Sequence, residues 1–445
     1  MSKLLEFISY HDLTNWSVAH LLENQFNYNQ EYPLVKIGDF LKRNKTQIIV
    51  KDDVEYKRVT IKLNNGGIYL RDRKIGKEIG TKKQYLIKQG QFLLSKIDAR
   101  NGAFGLATDE VDGAIITADF FAYDIDASKI EPYFLVLTTT TKQFKKFAQS
   151  ASSGTTGRQR INEQRFLDVK IPLPPLEKQK EIVEAYQSKI ALAEKQEQEA
   201  KEKEKEIEEY LYRELGIEIT KKEDKANKLL NFIEYKNLID WNMHKKDDAL
   251  HSNKFPEYKL SDLSPISSGG TPRRNNLEYY RNGTIPWVKT GEVRDNIIMD
   301  TEEKITNKAL KNSSAKIYPV NSIIIAMYGA TAGRTAKLGI EASTNQACAV
   351  LYNINTNIID IDFLWYYLMT QINNFKNLAE GSAQPNLNSM KIKNFKIPVP
   401  PLNIQKRIKT TIECLKHEIK ELKKQALQNR TLALQDFERE IFNEA

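Results

Sequence analysis

The side chains of this chain best suited to chemistry are cations and amides set among glycines. Arg58, Lys62, Arg71 and Arg73 surround Asn64-Asn65-Gly66-Gly67, and Lys96, Arg100 and Asn101 lead into Gly102. Thr155, Arg158 and Arg160 occupy a third loop. The second half carries Thr271, Arg273 and Arg274 after Gly269-Gly270, then Lys289, Arg334, and Gln384 with Asn386. Phosphates are held by cations and free amide donors, whereas base edges are read by forked groups such as Arg, Asn and Gln. One such loop is usually a solvated turn. Several per half, matched in position but not in sequence, point to nucleic acid. The charge balance agrees, with 67 Lys+Arg against 58 Asp+Glu and a net charge of +9, although a lysine-rich background would give the same balance.

Other chemistries lack their residues. The double prolines sit in Leu173-Pro174-Pro175-Leu176 and Val399-Pro400-Pro401-Leu402, not in the Asn/Asp-Pro-Pro-aromatic setting an adenine methyltransferase needs. Gly329-Ala330-Thr331-Ala332-Gly333-Arg334-Thr335 is too short for a phosphate-binding P-loop and has Arg in place of Lys. The five histidines fall at no metal-ligand spacing. Asp52-Asp53-Val54-Glu55-Tyr56-Lys57 has the composition of a nuclease site, but Glu-Tyr-Lys also occurs at Glu234-Tyr235-Lys236 and Glu257-Tyr258-Lys259, so chance explains it better. The expectation is a chain without catalysis, metal or cofactor of its own.

The elements that must carry these loops are written twice. Leu4-Leu5-Glu6-Phe7-Ile8 with Trp16 answers Leu229-Leu230-Asn231-Phe232-Ile233 with Trp241. Ile171-Pro172-Leu173-Pro174-Pro175-Leu176 answers Ile397-Pro398-Val399-Pro400-Pro401-Leu402. After each proline hinge the chain runs on without proline or glycine, to Gly216 in one copy and to the C-terminus in the other, which predicts two long helices. In the second, Ile408, Ile412, Leu415, Ile419, Leu422 and Ala426 form a coiled-coil stripe. In the first, the same spacing passes through Tyr186, Ile190, Ala193, Glu197, Ala200, Glu204, Ile207 and Leu211, with a polar centre over 194–209. An antiparallel pair of these helices, holding the modules at either end, is the economical arrangement; separate packing of each helix on its own module is the alternative.

Between the ends, short β-rich runs such as Arg58–Leu63, Gln91–Ile97 and Ser322–Met327 precede helical stretches at Pro132 to about Phe147 and Asp362 to about Leu378. Each module therefore reads as α+β with a twisted, partly open sheet. The expected division is residues 1–170, a first recognition module; 171–218, hinge and helix; 219–396, a second module; and 397–445, hinge and helix. The loops before each hinge align Ile161-Asn162 with Leu387-Asn388, serving either as a ligand contact or as a cap on the strand entering the hinge. With two cysteines at non-equivalent positions, no disulfide or Cys-based zinc site is expected, and a reducing cytoplasm suits the composition. No apolar run approaches the ~18 residues that span a bilayer.

With the paired Ile-Pro-x-Pro-Pro-Leu-x-x-Gln hinges closed by Gln179 and Gln405, Gly269-Gly270-Thr271-Pro272 with Ile285-Pro286-Trp287-Val288-Lys289, and Lys96–Gly105, the chain resembles the specificity subunits of Type I restriction-modification systems along essentially its whole length. The resemblance implies two target-recognition domains on an antiparallel coiled coil, each reading half of a split, asymmetric site in double-stranded DNA. It implies no chemistry by this subunit. Two adenine-N6 methyltransferase subunits would use S-adenosylmethionine, and motor-endonuclease subunits would use ATP and magnesium. A targeting subunit of a related system, a coiled-coil adaptor that never touches DNA, and an enzyme with an unrecognised site remain as alternatives.

Overall fold

The structure, a computed structural model, describes residues 28–63, 66–150, 152–153, 160–217, 252–378 and 387–442, with the backbone alone at a few of these. The paired opening motifs at Leu4–Trp16 and Leu229–Trp241 lie outside them. The chain divides into two compact units, Met1–Gln196 with Lys424–Ala445, and Glu197–Lys423.

In the first unit, Leu41–Arg43, Phe120–Ile125, Phe92–Ser95 and Phe104–Leu106 lie side by side in that order, antiparallel throughout. Phe92-Leu93-Leu94-Ser95 is buried along its length because both faces of the sheet are covered. Phe92, Leu94 and Phe104 meet Phe134, Phe144 and Phe166 from the helices on one side, while Leu93 and Ala122 join Val59, Ile61 and Ile68 of a second sheet on the other. That second sheet orders Gln47–Ile49, Lys83–Leu86, Ile115–Ile116, Glu55–Ile61 and Ile68–Ile75, leaving the last at an edge. Each module thus has two sheets where one was expected. The helical stretch after Pro132 is also two pieces, Pro132–Thr140 and Lys142–Ser150. Thr138, Thr139, Thr140 and Thr141 all turn their hydroxyls back onto carbonyls three or four residues earlier, and Thr141 then adopts an extended backbone. Such local bonding competes with the helical ladder and ends it.

The second unit repeats the frame. Ile266–Ser268, Cys348–Leu351, Ile323–Ala326 and Thr335–Leu338 take the same order, again antiparallel, with Asn296–Ile298 added parallel to the last. Its second sheet is smaller: Lys304–Ile305, Ile285–Val288 and Ser343–Thr344. In both units one parallel step enters this sheet, Arg58 beside Ile115 in the first and Trp287 beside Ser343 in the second. Helices Ile361–Thr370 and Ile372–Leu378 follow, broken at Gln371 as their counterparts are at Thr141.

The hinge strands enter the frame alike. Lys170–Pro172 pairs antiparallel with Leu34–Lys36, and Lys396–Pro398 with Glu257–Lys259. Helices Leu176–Leu215 and Leu402–Ile441 follow, each of 40 residues and so about 60 Å long. In the first unit the start of one runs antiparallel to the end of the other, with Lys178 3.5 Å from Glu440, Lys189 paired to Asp436, and Gln196 bonded to Gln425 and Asn429. In the second, Lys203 meets Glu418, Lys423 meets Glu204, and Arg407 meets Glu214. The two arrangements open to the sequence are therefore combined. Ile182 and Val183 enter the first module's core beside Phe437 and Ile441, and Ile408 and Ile412 enter the second's beside Leu211, Tyr212 and Leu215. Between these anchors the buried helix positions are Ala193, Ala426 and Ala433 in the first unit and Ala200, Leu415 and Ile419 in the second. Small seam residues and cross-helix polar bonds replace the apolar stripe that the run over 194–209 lacks.

Candidate nucleic-acid interface

The hinge glutamines show why the frame is reproduced. Gln179 and Gln405 are both 0 % exposed. The Gln405 carboxamide accepts from the Asp360 amide at 2.7 Å and donates to the carbonyls of Pro400 at 2.7 Å and Ile358 at 2.9 Å. Gln179 does the same with the Glu131 amide at 2.8 Å and the carbonyls of Pro174 at 2.8 Å and Lys129 at 3.4 Å. Each glutamine ties the first turn of a long helix to the loop opening the module's own helix pair. Asn162 and Asn388 resolve similarly: each side-chain oxygen accepts the amide three residues on, from Arg165 at 3.0 Å and Lys391 at 2.9 Å, capping a short helix before the hinge strand. Capping accounts for that alignment.

On this frame the candidate contact residues separate by their partners. Arg58 is half-buried and grips Asp72 through two bonds of 2.7 and 2.6 Å. Hydrogen bonds from Arg58 are the main reason the Asp72 carboxyl lies below its usual range. Lys289 lies between Glu302 at 2.8 Å and Glu303 at 3.0 Å, whose bonds hold its ammonium pKa high. Arg274 shares Glu303 and covers the rings of Tyr280 and Trp287, each 4.7 Å away. Arg334 bonds Asp295 at 2.7 Å, and Arg160 bonds Asp119 at 3.1 Å. Lys96 lies over the Phe121 ring at 4.3 Å, and burial, then Arg43, lowers its pKa. Each of these six guanidinium and ammonium groups has a carboxylate or ring partner, although Arg160, Arg274 and Arg334 stay about half exposed.

Others face outward. Arg71 and Arg73 have side chains 49 % and 52 % exposed on the edge strand Ile68–Ile75. Lys62 lies over the exposed Tyr69 ring of that strand at 4.1 Å. Asn101 is exposed at the end of the 3-10 turn Ala99–Asn101. Arg273 is exposed after the Gly-Gly-Thr turn, and its guanidinium has no partner among the described residues. Thr271 accepts weakly from the Gln346 amide at 3.5 Å. Thr155, Arg158, Gln384 and Asn386 lie outside the described residues, as does the Arg100 side chain.

The glycines need a correction. Gly269 and Gly270 do not offer free amides, since these donate to the carbonyls of Cys348 and Thr344. A Cβ on Gly269 would lie 2.3 Å from the Thr344 carbonyl oxygen, and one on Gly270 would lie 2.3 Å from the Ala315 nitrogen. Close backbone approach, with the Trp287 indole donating to the Gly270 carbonyl at 3.0 Å, explains the motif. Sequence reasoning also passed over Arg43, which lies 3.8 Å over Phe121 and donates to the Phe120 carbonyl. Among the described residues no cluster suits a metal ion, no helix is long and apolar enough to cross a membrane, and Cys348 and Cys414 are free thiols.

Two copies of one frame, each carrying a different second sheet, define a duplicated two-module protein. The model of the Type I restriction modification DNA specificity domain matches residues 29–206 and again 253–429, and the chain belongs to that family. It is 30% identical over 180 residues to the EcoR124I/EcoR124II specificity subunit of Escherichia coli, covering 38% of this chain and 44% of that one. It is 23% identical over 422 residues to the MjaVIII specificity subunit of Methanocaldococcus jannaschii, covering 90% of both. The match to the Escherichia coli relative thus spans less than half of that protein's length. Among solved structures, a chain from work on complex assembly and conformational transition of the type I R-M system superposes with a TM-score of 0.60 at 16% identity, over 93% of this chain and 98% of that one. That likeness concerns the fold.

Proposed function

We propose that this chain is the sequence-reading subunit of a Type I restriction-modification assembly, and that its two modules read different halves of one split, non-palindromic site in double-stranded DNA. The observation that carries the reading is the contrast between a duplicated frame, down to its hinge glutamines, and outer sheets that differ in strand number and side chains. Each module reads its own half-site through exposed groups such as Arg71, Arg73 and Asn101, or Arg273. The paired helices fix the gap between half-sites, which for two modules on one duplex face is on the order of one helical turn. Adenine-N6 methylation falls to two partner methyltransferase subunits using S-adenosylmethionine, and restriction to motor-endonuclease subunits using ATP and magnesium. The chain itself performs no chemistry in this scheme.

Genome-wide N6-methyladenine mapping, with and without the gene, tests it. Loss of one split, asymmetric motif is the expected result. Unchanged methylation, together with no salt-sensitive duplex binding by the chain and its co-purified partner, overturns it.

A further inference from the structure

The first module carries one feature that has no counterpart among the described residues of the second. Glu55–Ile61 and Ile68–Ile75 form a hairpin of seven and eight residues, the two longest strands among the described residues. The second module's outer strands hold four, two and two. Tyr69, Arg71, Arg73 and Ile75 are the exposed residues of Ile68–Ile75. The register shifts between Arg58 and Val59: Arg58 pairs with Asp72 but Val59 pairs with Leu70. Arg71 is therefore the extra residue of a β-bulge, a device that re-aims a side chain. Asp72, already gripped by Arg58, lies 3.5 Å from the Arg71 Nε and holds that edge of its guanidinium. No partner engages the other Arg71 nitrogens among the described residues.

We propose, on the basis of the DNA-reading function above, that this hairpin enters the DNA major groove as a β-ribbon, with Arg71 and Arg73 as base-contacting residues and Asp72 as the positioning residue for Arg71. The major groove admits a two-stranded ribbon, and its commonest specific contact is a forked Arg on guanine. Alternate residues on a strand lie about 6.8 Å apart, which equals two base steps of about 3.4 Å. Arg71 and Arg73 accordingly reach bases two steps apart on a ribbon lying along the groove. Charge selects the occupant: Arg71, Arg73 and the nearby Lys62 are exposed or half-exposed, while Asp72 is neutralised by Arg58 and only Glu55 approaches Arg73, at 3.9 Å. With no such ribbon among the described residues of the second module, the two half-sites are read by different means.

The test selects from random-sequence duplexes with the full chain co-purified with its methyltransferase partner, comparing wild type with Arg71→Ala, Arg73→Ala and Asp72→Asn. We expect Arg71→Ala and Arg73→Ala to relax discrimination by roughly ten- to a hundred-fold, at one position each, two base pairs apart in one half-site. Asp72→Asn should relax the Arg71 position and spare the Arg73 position, a pattern that general loosening of the hairpin does not produce. The exposed Arg variants keep the test sound should Asp72→Asn unfold. An unchanged motif, or an affinity loss equal at every sequence, overturns the ribbon while leaving the DNA-reading function standing. A wild-type complex that selects no motif overturns both.

Discussion

Gln405→Ala removes one side chain and strands three backbone groups. The Asp360 amide loses its acceptor at 2.7 Å, and the carbonyls of Pro400 and Ile358 lose donors at 2.7 and 2.9 Å, all around a side chain with no solvent exposure. A buried polar group left unpaired costs about 1–3 kcal/mol, and taking the low end for each because water can enter the vacated space gives about 3 kcal/mol. Gln179→Ala is the internal control. Its bond to the Lys129 carbonyl is already 3.4 Å long, so the expected loss is smaller, about 2 kcal/mol. Because the chain has two compact units, a single unfolding transition is not assured, and residue-resolved hydrogen exchange is the suitable assay. In Gln405→Ala the amides of Ile361–Thr370 should exchange on the order of a hundred-fold faster, those of Pro132–Thr140 unchanged; Gln179→Ala should reverse the pattern with the smaller effect. Gln405→Glu should be at least as damaging as alanine, since a carboxylate faces two carbonyls that require a donor. Protection altered less than about three-fold in the local helix, or a larger loss at Gln179, would refute the claim that these bonds lock hinge to module.

Two further outcomes follow from the helices and their anchors. Deleting one heptad from each long helix shortens each by about 10 Å, about three base steps of ~3.4 Å, so methylation mapping should return the same half-sites with a shorter gap; altered half-sites across an unchanged gap would dismiss the spacer role. Asp362 is anchored by Lys337 and by Lys409 at 2.7 Å; burial opposes its ionisation, but the two lysines prevail and its pKa lies below the ordinary carboxylate value. A lowered folded-state pKa stabilises fully above the unfolded value and is lost as pH falls through the folded one, so acid titration of stability should flatten in Asp362→Asn, and an unchanged acid limb would contradict the assignment.

The frame was legible in the sequence because duplication leaves a physical trace. Proline at the hinge fixes a strand end and a helix start, and the glutamine after it recurs since both copies must satisfy the same three backbone groups. The coiled-coil stripe from Ile408 to Ala426 was equally visible. The spacing also placed Ala193 and Ala200 on the seam of the first helix, and both are buried. Thr138–Thr141 and Gln371 broke helices whose apolar patterns run on without interruption, as local hydrogen bonding and the turn of the chain overrode periodicity. The second sheet escaped because its strands Ile115–Ile116 and Ser343–Thr344 are two residues long and form only by long-range pairing.

For the site, residue type identified the ligand class but not each residue's employment. Arg58 and Arg71 look alike in sequence; the shifted register pairs Arg58 with Asp72 through two bonds and leaves Arg71 more exposed, with one approach of 3.5 Å to the same carboxylate. A similar division separates Arg274, held by Glu303 over two rings, from its neighbour Arg273, whose guanidinium has no partner among the described residues. Such pairing has a consequence for specificity. An arginine fixed by a carboxylate holds its loop in one conformation before any ligand arrives, so less binding free energy is lost to ordering the loop, although a neighbouring free arginine still gives up its own side-chain freedom on binding. Under the proposed DNA-reading function, change in the free member alters what is read, and change in the paired member alters whether anything is read. A frame kept constant while free positions vary is therefore the arrangement in which two copies of one module can come to read different sequences.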